Sequence, residues 1–287
     1  HFILEERFGF NRLTVKLFWV DQLKGVIISA IIGLPLIAAT IWIMTSLGGS
    51  WWIYAWALIT IFQLVTLWLY PLLIAPLFNR FSPLEEGEVK ERVLSLLDRV
   101  GFNSRGLFVM DASKRTTHGN AYFTGPGKSK RIVLFDTLLK TLDPDEVEAV
   151  IAHELGHYKH RDILKILLLS TLLTLIGFWI LGQVYQMPTF YLAHGVNQPS
   201  SYMALILFTL IISNYTFPIT PILSWRSRTK EFAADRFAAN YSQGKALALA
   251  LMKMYRDNAA CVTADHLYSA YHHSHPPALE RIKKLIK

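Results

Sequence analysis

Four stretches of this chain are so long and so apolar that they must lie in a large core or in a lipid bilayer. Gly25 to Leu47, Trp51 to Phe78, Ile166 to Met187 and Tyr202 to Trp225 contain no Asp, Glu, Lys or Arg. Each meets the roughly 20 residues that a helix needs to cross a hydrocarbon core. Inside a bilayer every backbone group must be satisfied by its own helix, so these runs are expected as helices despite Pro35, Pro71, Pro218 and Pro221. Gly48-Gly49-Ser50 turns the first two into a hairpin, and a loop without Lys or Arg joins the other two. At 287 residues, 52% hydrophobic and 17% charged, the chain is too oily for an ordinary soluble protein. The expected fold is a mainly α, polytopic membrane protein.

Charge sets the orientation. Four Lys and Arg precede the first span, 14 lie between the second and third, and 11 follow the fourth, which accounts for all 29. By the positive-inside rule the N-terminal, middle and C-terminal segments face the cytoplasm. The net charge of +8 does not point to nucleic acid, because the basic residues form no tight runs interleaved with aromatics. The chain begins at His1 without a recognisable signal peptide, so a preceding portion is expected. Its single cysteine, Cys261, excludes an intramolecular disulfide and is expected as an inert, buried thiol. Any bound metal must then use nitrogen and oxygen ligands.

Five segments follow: an interfacial segment 1–25, a transmembrane hairpin 26–78, a polar segment 79–162, a second hairpin 163–225 and a polar segment 226–287. In the middle segment, Ser82-Pro83-Leu84-Glu85-Glu86 reads as a helix start, with Val89, Val93, Leu96, Leu97 and Val100 on one face up to Gly101. Gly106–Met110 and Ile132–Phe135 read as strands, and Asn120 to Gly125 as a third strand at a sheet edge. Asp143, Pro144 and Glu146 form a capping-box start for the next helix.

That helix carries His153-Glu154-Leu155-Gly156-His157. Histidines four apart share one helix face, so both rings can reach one metal ion, and Glu154 lies alongside as a general base. This pattern is a zinc-hydrolase motif, and a catalytic site of this kind takes a third protein ligand and keeps one open position. The best candidate is Glu231, in Glu231-Phe-Ala-Ala-Asp235, where Asp235 shares its face and can hold the outer N–H of a ligand histidine. Ala233, Ala234, Ala238 and Ala239 would let this helix pack closely on another. The competing readings are a solvated acidic pair and, for the third ligand, His160. His160 is seven residues from His153, about 10.5 Å of helix, too far to share an ion with it but not with His157; a polar interface role is the simpler reading. His275, fixed by Pro276 and Pro277, and Arg281 are candidates for stabilising an anionic intermediate, or else belong to a loop and a terminal basic helix. His1, His118, His194, His266, His272 and His273 read as surface or packing residues. His157 precedes Ile163, and Glu231 follows Trp225, by six residues, about 9 Å of helix, which sets the metal at the cytoplasmic membrane interface and implies a membrane-associated substrate.

Taken together, these residues resemble the type I CAAX prenyl protease family, integral-membrane zinc metallopeptidases of the gluzincin class. The likeness runs through Glu5-Glu6-Arg7-Phe8-Gly9-Phe10-Asn11, Ile74 to Phe78, Ser113 to Arg115, Asn120 to Phe123, Arg131 to Leu139, the His153 motif, Glu231 to Asp235 and Ser274 to Arg281. The resemblance implies transmembrane helices with a gluzincin-like protease domain and a small β-sheet, and a single Zn2+ on His153, His157 and Glu231. It implies Glu154 as the residue that activates water, Asn120, Ala121 and Tyr122 pairing with the substrate backbone, and His275 and Arg281 as supports, with Arg281 near Asp235. The implied substrates are prenylated or other membrane-presented peptides. The site would face the cytoplasm, in a prokaryotic inner membrane or in the endoplasmic reticulum of a eukaryote. A membrane quality-control protease of the heat-shock type shares this chemistry, and a non-catalytic metal-containing scaffold is the reading from another class. The oligomeric state is not legible.

Overall fold

The computed structural model describes residues 2–125 and 130–286. His1, one of the histidines read as surface or packing residues, lies outside them. Among the described residues four helices are long and apolar enough to cross a membrane. The chain divides into two compact units, one of His1–Phe18, Trp68–Ile163 and Thr220–Lys287 and the other of Trp19–Leu67 and Leu164–Ile219.

The second unit is helical. Val15–Ser46 runs unbroken through Pro35, and a turn at Gly48–Ser50, with Gly48 at φ 62°, leads into Trp51–Leu69. Outward residues such as Ile31, Leu34 and Trp42 are more than half exposed, the apolar surface expected of lipid-facing side chains. Its interior is built on Trp51, Ala55, Leu181, Tyr191 and Ala204. Polar pairs add to this packing: Trp56 Nε1 donates to the Thr171 carbonyl at 3.1 Å, and Gln63 Nε2 to Ser170 Oγ at 3.1 Å. The other prolines of the apolar runs are absorbed locally, Pro218 in a 3-10 turn Phe217–Ile219 of this unit, and Pro71 and Pro221, both of the first unit, in a π-helical turn Tyr70–Ile74 and in the first turn of the helix Thr220–Tyr241.

The first unit holds a four-stranded sheet of β1 (Phe81–Pro83), β2 (Leu107–Met110), β3 (Ala121–Thr124) and β4 (Arg131–Phe135), in the order β1-β2-β4-β3. β2 and β4 are parallel and the outer pairings antiparallel, with Tyr122 opposite Val133. β3 is therefore an edge. Ser82 and Pro83 do not start a helix; they pair with β2 in the other edge strand, where a proline without an N–H is tolerated. The helix instead begins at Glu88, after Gly87 at φ 148°, and buries Val93, Leu96, Leu97 and Val100. Cys261 is exposed rather than buried, because it sits in the loop after the helix Gly244–Asp257.

The motif helix, Pro144–Lys159, starts at a complete capping box between Asp143 and Glu146. Its buried face joins the sheet through Leu134, Ile132, Val147, Ile151 and Leu155 in one core. The helix Thr220–Tyr241 crosses it closely. A Cβ on Gly156 would lie 2.9 Å from Ala234 Cα, so glycine and alanine set this approach. Ala234 and Ala238 are the small residues buried in it, whereas Ala239 is exposed. The N-terminal segment docks on the loop before β3: Thr117 N donates to the Phe10 carbonyl at 3.3 Å, and His118 packs against Phe10.

Candidate metal centre

One helical turn separates His153 from His157, and their ring centroids are 4.9 Å apart. Each ring is held from behind by a carboxylate. His153 Nδ1 lies 2.9 Å from Asp235 Oδ1, and His157 Nδ1 lies 3.0 Å from Asp162 Oδ2. This leaves both Nε2 atoms turned toward Glu231, His153 Nε2 at 3.6 Å from Oε2 and His157 Nε2 at 3.3 Å from Oε1. One ligand atom from each of the three residues lies within 4.8 Å of the others. Glu231 Oε2 is buried. A buried carboxylate facing two imidazole nitrogens, on rings whose other nitrogens are already engaged, is a donor set that fits a bound cation.

Around this group the charges are layered. Arg281 donates to both carboxylate oxygens of Asp235, Nε at 2.9 Å and Nη2 at 2.6 Å, and its Nη1 is 3.4 Å from Glu231 Oε2. The guanidinium is thus committed to the acidic pair, in the bidentate geometry that arginine favours. His275 Nδ1 lies 3.1 Å from Glu231 Oε2 while its side chain is 62% exposed, so one edge faces the centre and the other solvent. His160 follows the last residue of the motif helix and stands outside the three-residue group, with its ring 6.2 Å from that of Phe237.

Burial opposes a charged imidazole, but the bonds to Asp235 and Glu231 prevail and push the His153 pKa up to about 9. The His157 pKa is raised as well, burial again being outweighed by Glu231 and Asp162. Burial raises the Glu154 carboxyl, against the pull of His153 and His157, toward the range useful to a general base.

The sequence-predicted residues His153, His157, Glu231, Asp235, His275 and Arg281 come together here. Asn120, Ala121 and Tyr122 lie along the β3 edge, which packs beside the motif helix. Asn120 Oδ1 accepts the Ala121 N–H at 2.8 Å, and the Phe135 N–H donates to the Asn120 carbonyl at 2.9 Å. Asp162 escaped the sequence reading. Its approach to His157 depends on Arg161 turning at φ 54°, and no residue-type signal marks that turn.

Residues 83–287 match peptidase family M48, a metallopeptidase family, and residues 1–80 match the CAAX prenyl protease N-terminal region, described as having five membrane helices. The chain is 39% identical over 285 residues to CAAX prenyl protease 1 homolog of Arabidopsis thaliana, covering 99% of this chain and 67% of that protein. It is 38% identical over 301 residues to CAAX prenyl protease 1 of Saccharomyces cerevisiae, covering 99% and 66%. It thus spans about two thirds of the length of these relatives. The crystal structure of S. mikatae Ste24p superposes with a TM-score of 0.94 at 37% identity, covering all of this chain and 70% of that one. The chain is an integral membrane protein with a His-His-Glu group that could hold a metal ion, and it belongs to peptidase family M48.

Proposed function

We propose that this chain is a zinc metalloendopeptidase that cleaves peptide bonds near the C-terminus of prenylated or otherwise membrane-presented peptides, at the cytoplasmic face of its membrane. The observation that carries the reading is the meeting of His153, His157 and the buried Glu231 carboxylate, with Glu154 in electrostatic contact with all three. One ion held by these three residues has an N2O donor set that suits Zn2+. Zinc bound there supplies Lewis acidity, polarising a carbonyl and lowering the pKa of a water.

The protein's own residues divide the remaining work. Glu154 takes the proton of the attacking water and returns it to the leaving amine. Asp235 and Asp162 fix the tautomer and direction of the two imidazoles. Arg281 holds Asp235 in place, whereas the half-open His275 is the donor that can reach the oxygen developing charge in the transition state. Among the described residues no strand pairs with the outer side of β3, so a substrate backbone can add there as a strand along Asn120, Ala121 and Tyr122. In this reading residues 79–162 and 226–287 form the catalytic part, with 26–78 and 163–225 as its membrane hairpins.

The test is mass spectrometry of products from a prenylated reporter peptide and, in parallel, from an unfolded membrane protein. Cleavage of the peptide near its C-terminus supports the assignment. Cleavage of the unfolded protein alone transfers it to quality control, and no cleavage by zinc-loaded protein favours a scaffold. Glu154→Gln should abolish turnover with zinc retained, and Glu231→Ala should lose zinc by elemental analysis; zinc kept by Glu231→Ala would return the third position to His160.

A further inference from the structure

We propose that Arg228 is a positioning residue that sets His275 over the metal centre, a role that rests on the peptidase reading above. Its Nη1 donates to three carbonyls at the end of the short helix His266–His272: Ser269 at 3.0 Å, Ala270 at 3.1 Å and His273 at 2.9 Å. Ser224, one turn earlier on the same face, donates through Oγ to the Tyr271 carbonyl at 2.9 Å. Carbonyls in the last turn of a helix carry partial negative charge and lack full intrahelical pairing, so a guanidinium meets both needs, even though the Ser269 carbonyl also accepts the His273 N–H at 3.1 Å. Among the described residues no carboxylate lies within ion-pairing distance of Arg228. Its charge is spent on backbone alone.

The consequence lies two residues further on. The anchored carbonyl of His273 is followed by Ser274, His275, Pro276 and Pro277 before the helix Ala278–Ile286, whose Arg281 is tied to Asp235. Arg228 and Asp235 lie on the one helix Thr220–Tyr241, on either side of Glu231. The segment between them is therefore pinned at both ends to the helix that supplies Glu231. The two prolines restrict it further, since a residue before proline is confined to extended conformations. With its ends and its backbone fixed, His275 has little choice but to sit with Nδ1 3.1 Å from Glu231 Oε2. Prolines alone would stiffen the segment without deciding where it points. Arg228 decides it.

The test uses the full chain in lipid nanodiscs, loaded with zinc, and a fluorogenic prenylated reporter peptide. Arg228→Gln should lower kcat roughly 10- to 100-fold, the loss expected from a misplacement of about 1 Å, with KM changed less than about twofold and zinc content intact. Arg228→Lys, which keeps charge and donors, should recover most of it. Combined with His275→Ala, Arg228→Gln should add nothing to the loss from His275→Ala alone. Amide exchange of the 269–277 segment, measured on the same proteins with and without zinc, should speed up in Arg228→Gln. Additive losses in the double variant, or unchanged exchange, overturn the proposal, as does a silent His275→Ala. If the unsubstituted protein cleaves nothing, the peptidase reading falls, and the exchange measurement still decides whether Arg228 pins the segment.

Discussion

Gly156→Ala puts the geometry of the centre to a test of sign. Glycine in a helix interior costs about 1 kcal/mol relative to alanine, so helix propensity by itself makes this substitution stabilising by about that amount. The structure predicts the reverse. The new Cβ would lie 2.9 Å from Ala234 Cα, 3.1 Å from Phe237 Cβ and 3.2 Å from Ala234 Cβ, and the nearest of these is backbone. Carbon atoms in good contact lie about 3.5–4.0 Å apart, so the two helices must separate by on the order of 0.5–1 Å. Overpacking of this kind costs about 1–3 kcal/mol, which leaves a net destabilisation of roughly 0–2 kcal/mol after the propensity gain. The metal should report it more sharply. His153 and His157 belong to one helix and Glu231 to the other, and metal–ligand distances tolerate only about 0.2 Å. Chelator competition should show zinc affinity reduced by one to two orders of magnitude, and thermal unfolding of the metal-free protein should show no gain. A variant that is more stable and binds zinc as tightly as the parent refutes the claim that the Gly156–Ala234 approach fixes the site.

Asp162→Asn should weaken zinc binding roughly 10- to 100-fold while leaving the helices intact, by loosening His157; unchanged affinity in chelator competition would refute that role. Metal-free protein should be pH-sensitive through His153. Its pKa rises from 6.5 when unfolded to about 9 when folded, so this stabilisation is whole below pH 6.5, fades as the pH climbs, and is gone above about 9. The melting temperature of the metal-free form should fall over that window, and zinc affinity should rise over it because uptake displaces the proton; a flat zinc affinity between pH 6.5 and 9 contradicts the shift.

How much of this was legible depended on whether the determinant was local. A span without charge declares itself residue by residue, and so did the capping box at Asp143 and Glu146, since each depends on spacing inside one helix. Glu231 could be matched to the motif because metal chemistry demands a third ligand, whatever the distance along the chain. Ser82 and Pro83 misled because proline with nearby glutamates fits a helix start as well as an edge strand, and only the partner strand at Phe108 to Met110 decides between them. Asp162 was hidden by a single left-handed residue, Arg161, that turns the chain back. Cys261 misled in the other direction: a free cysteine is usually buried, but a loop position overrides that tendency.

The helix Thr220–Tyr241 gathers these determinants into one stripe. Ser224, Arg228, Glu231, Asp235 and Ala238 follow one another at alternating intervals of four and three, the spacing that keeps side chains on one helix face. Along that stripe the first two hold the segment bearing His275, the third meets both histidines, the fourth orients His153 and binds Arg281, and the last packs into the core shared with the motif helix. Ala234, adjacent to it, touches Gly156. Such a helix cannot rotate about its axis without disturbing every one of these contacts together. Its acidic pair is expensive to bury, and Arg281 offsets Glu231 and Asp235 only as long as each partner is present. Chemistry and packing are therefore not separable here: the residues that bring the metal ligands together are also those that fix how two helices cross.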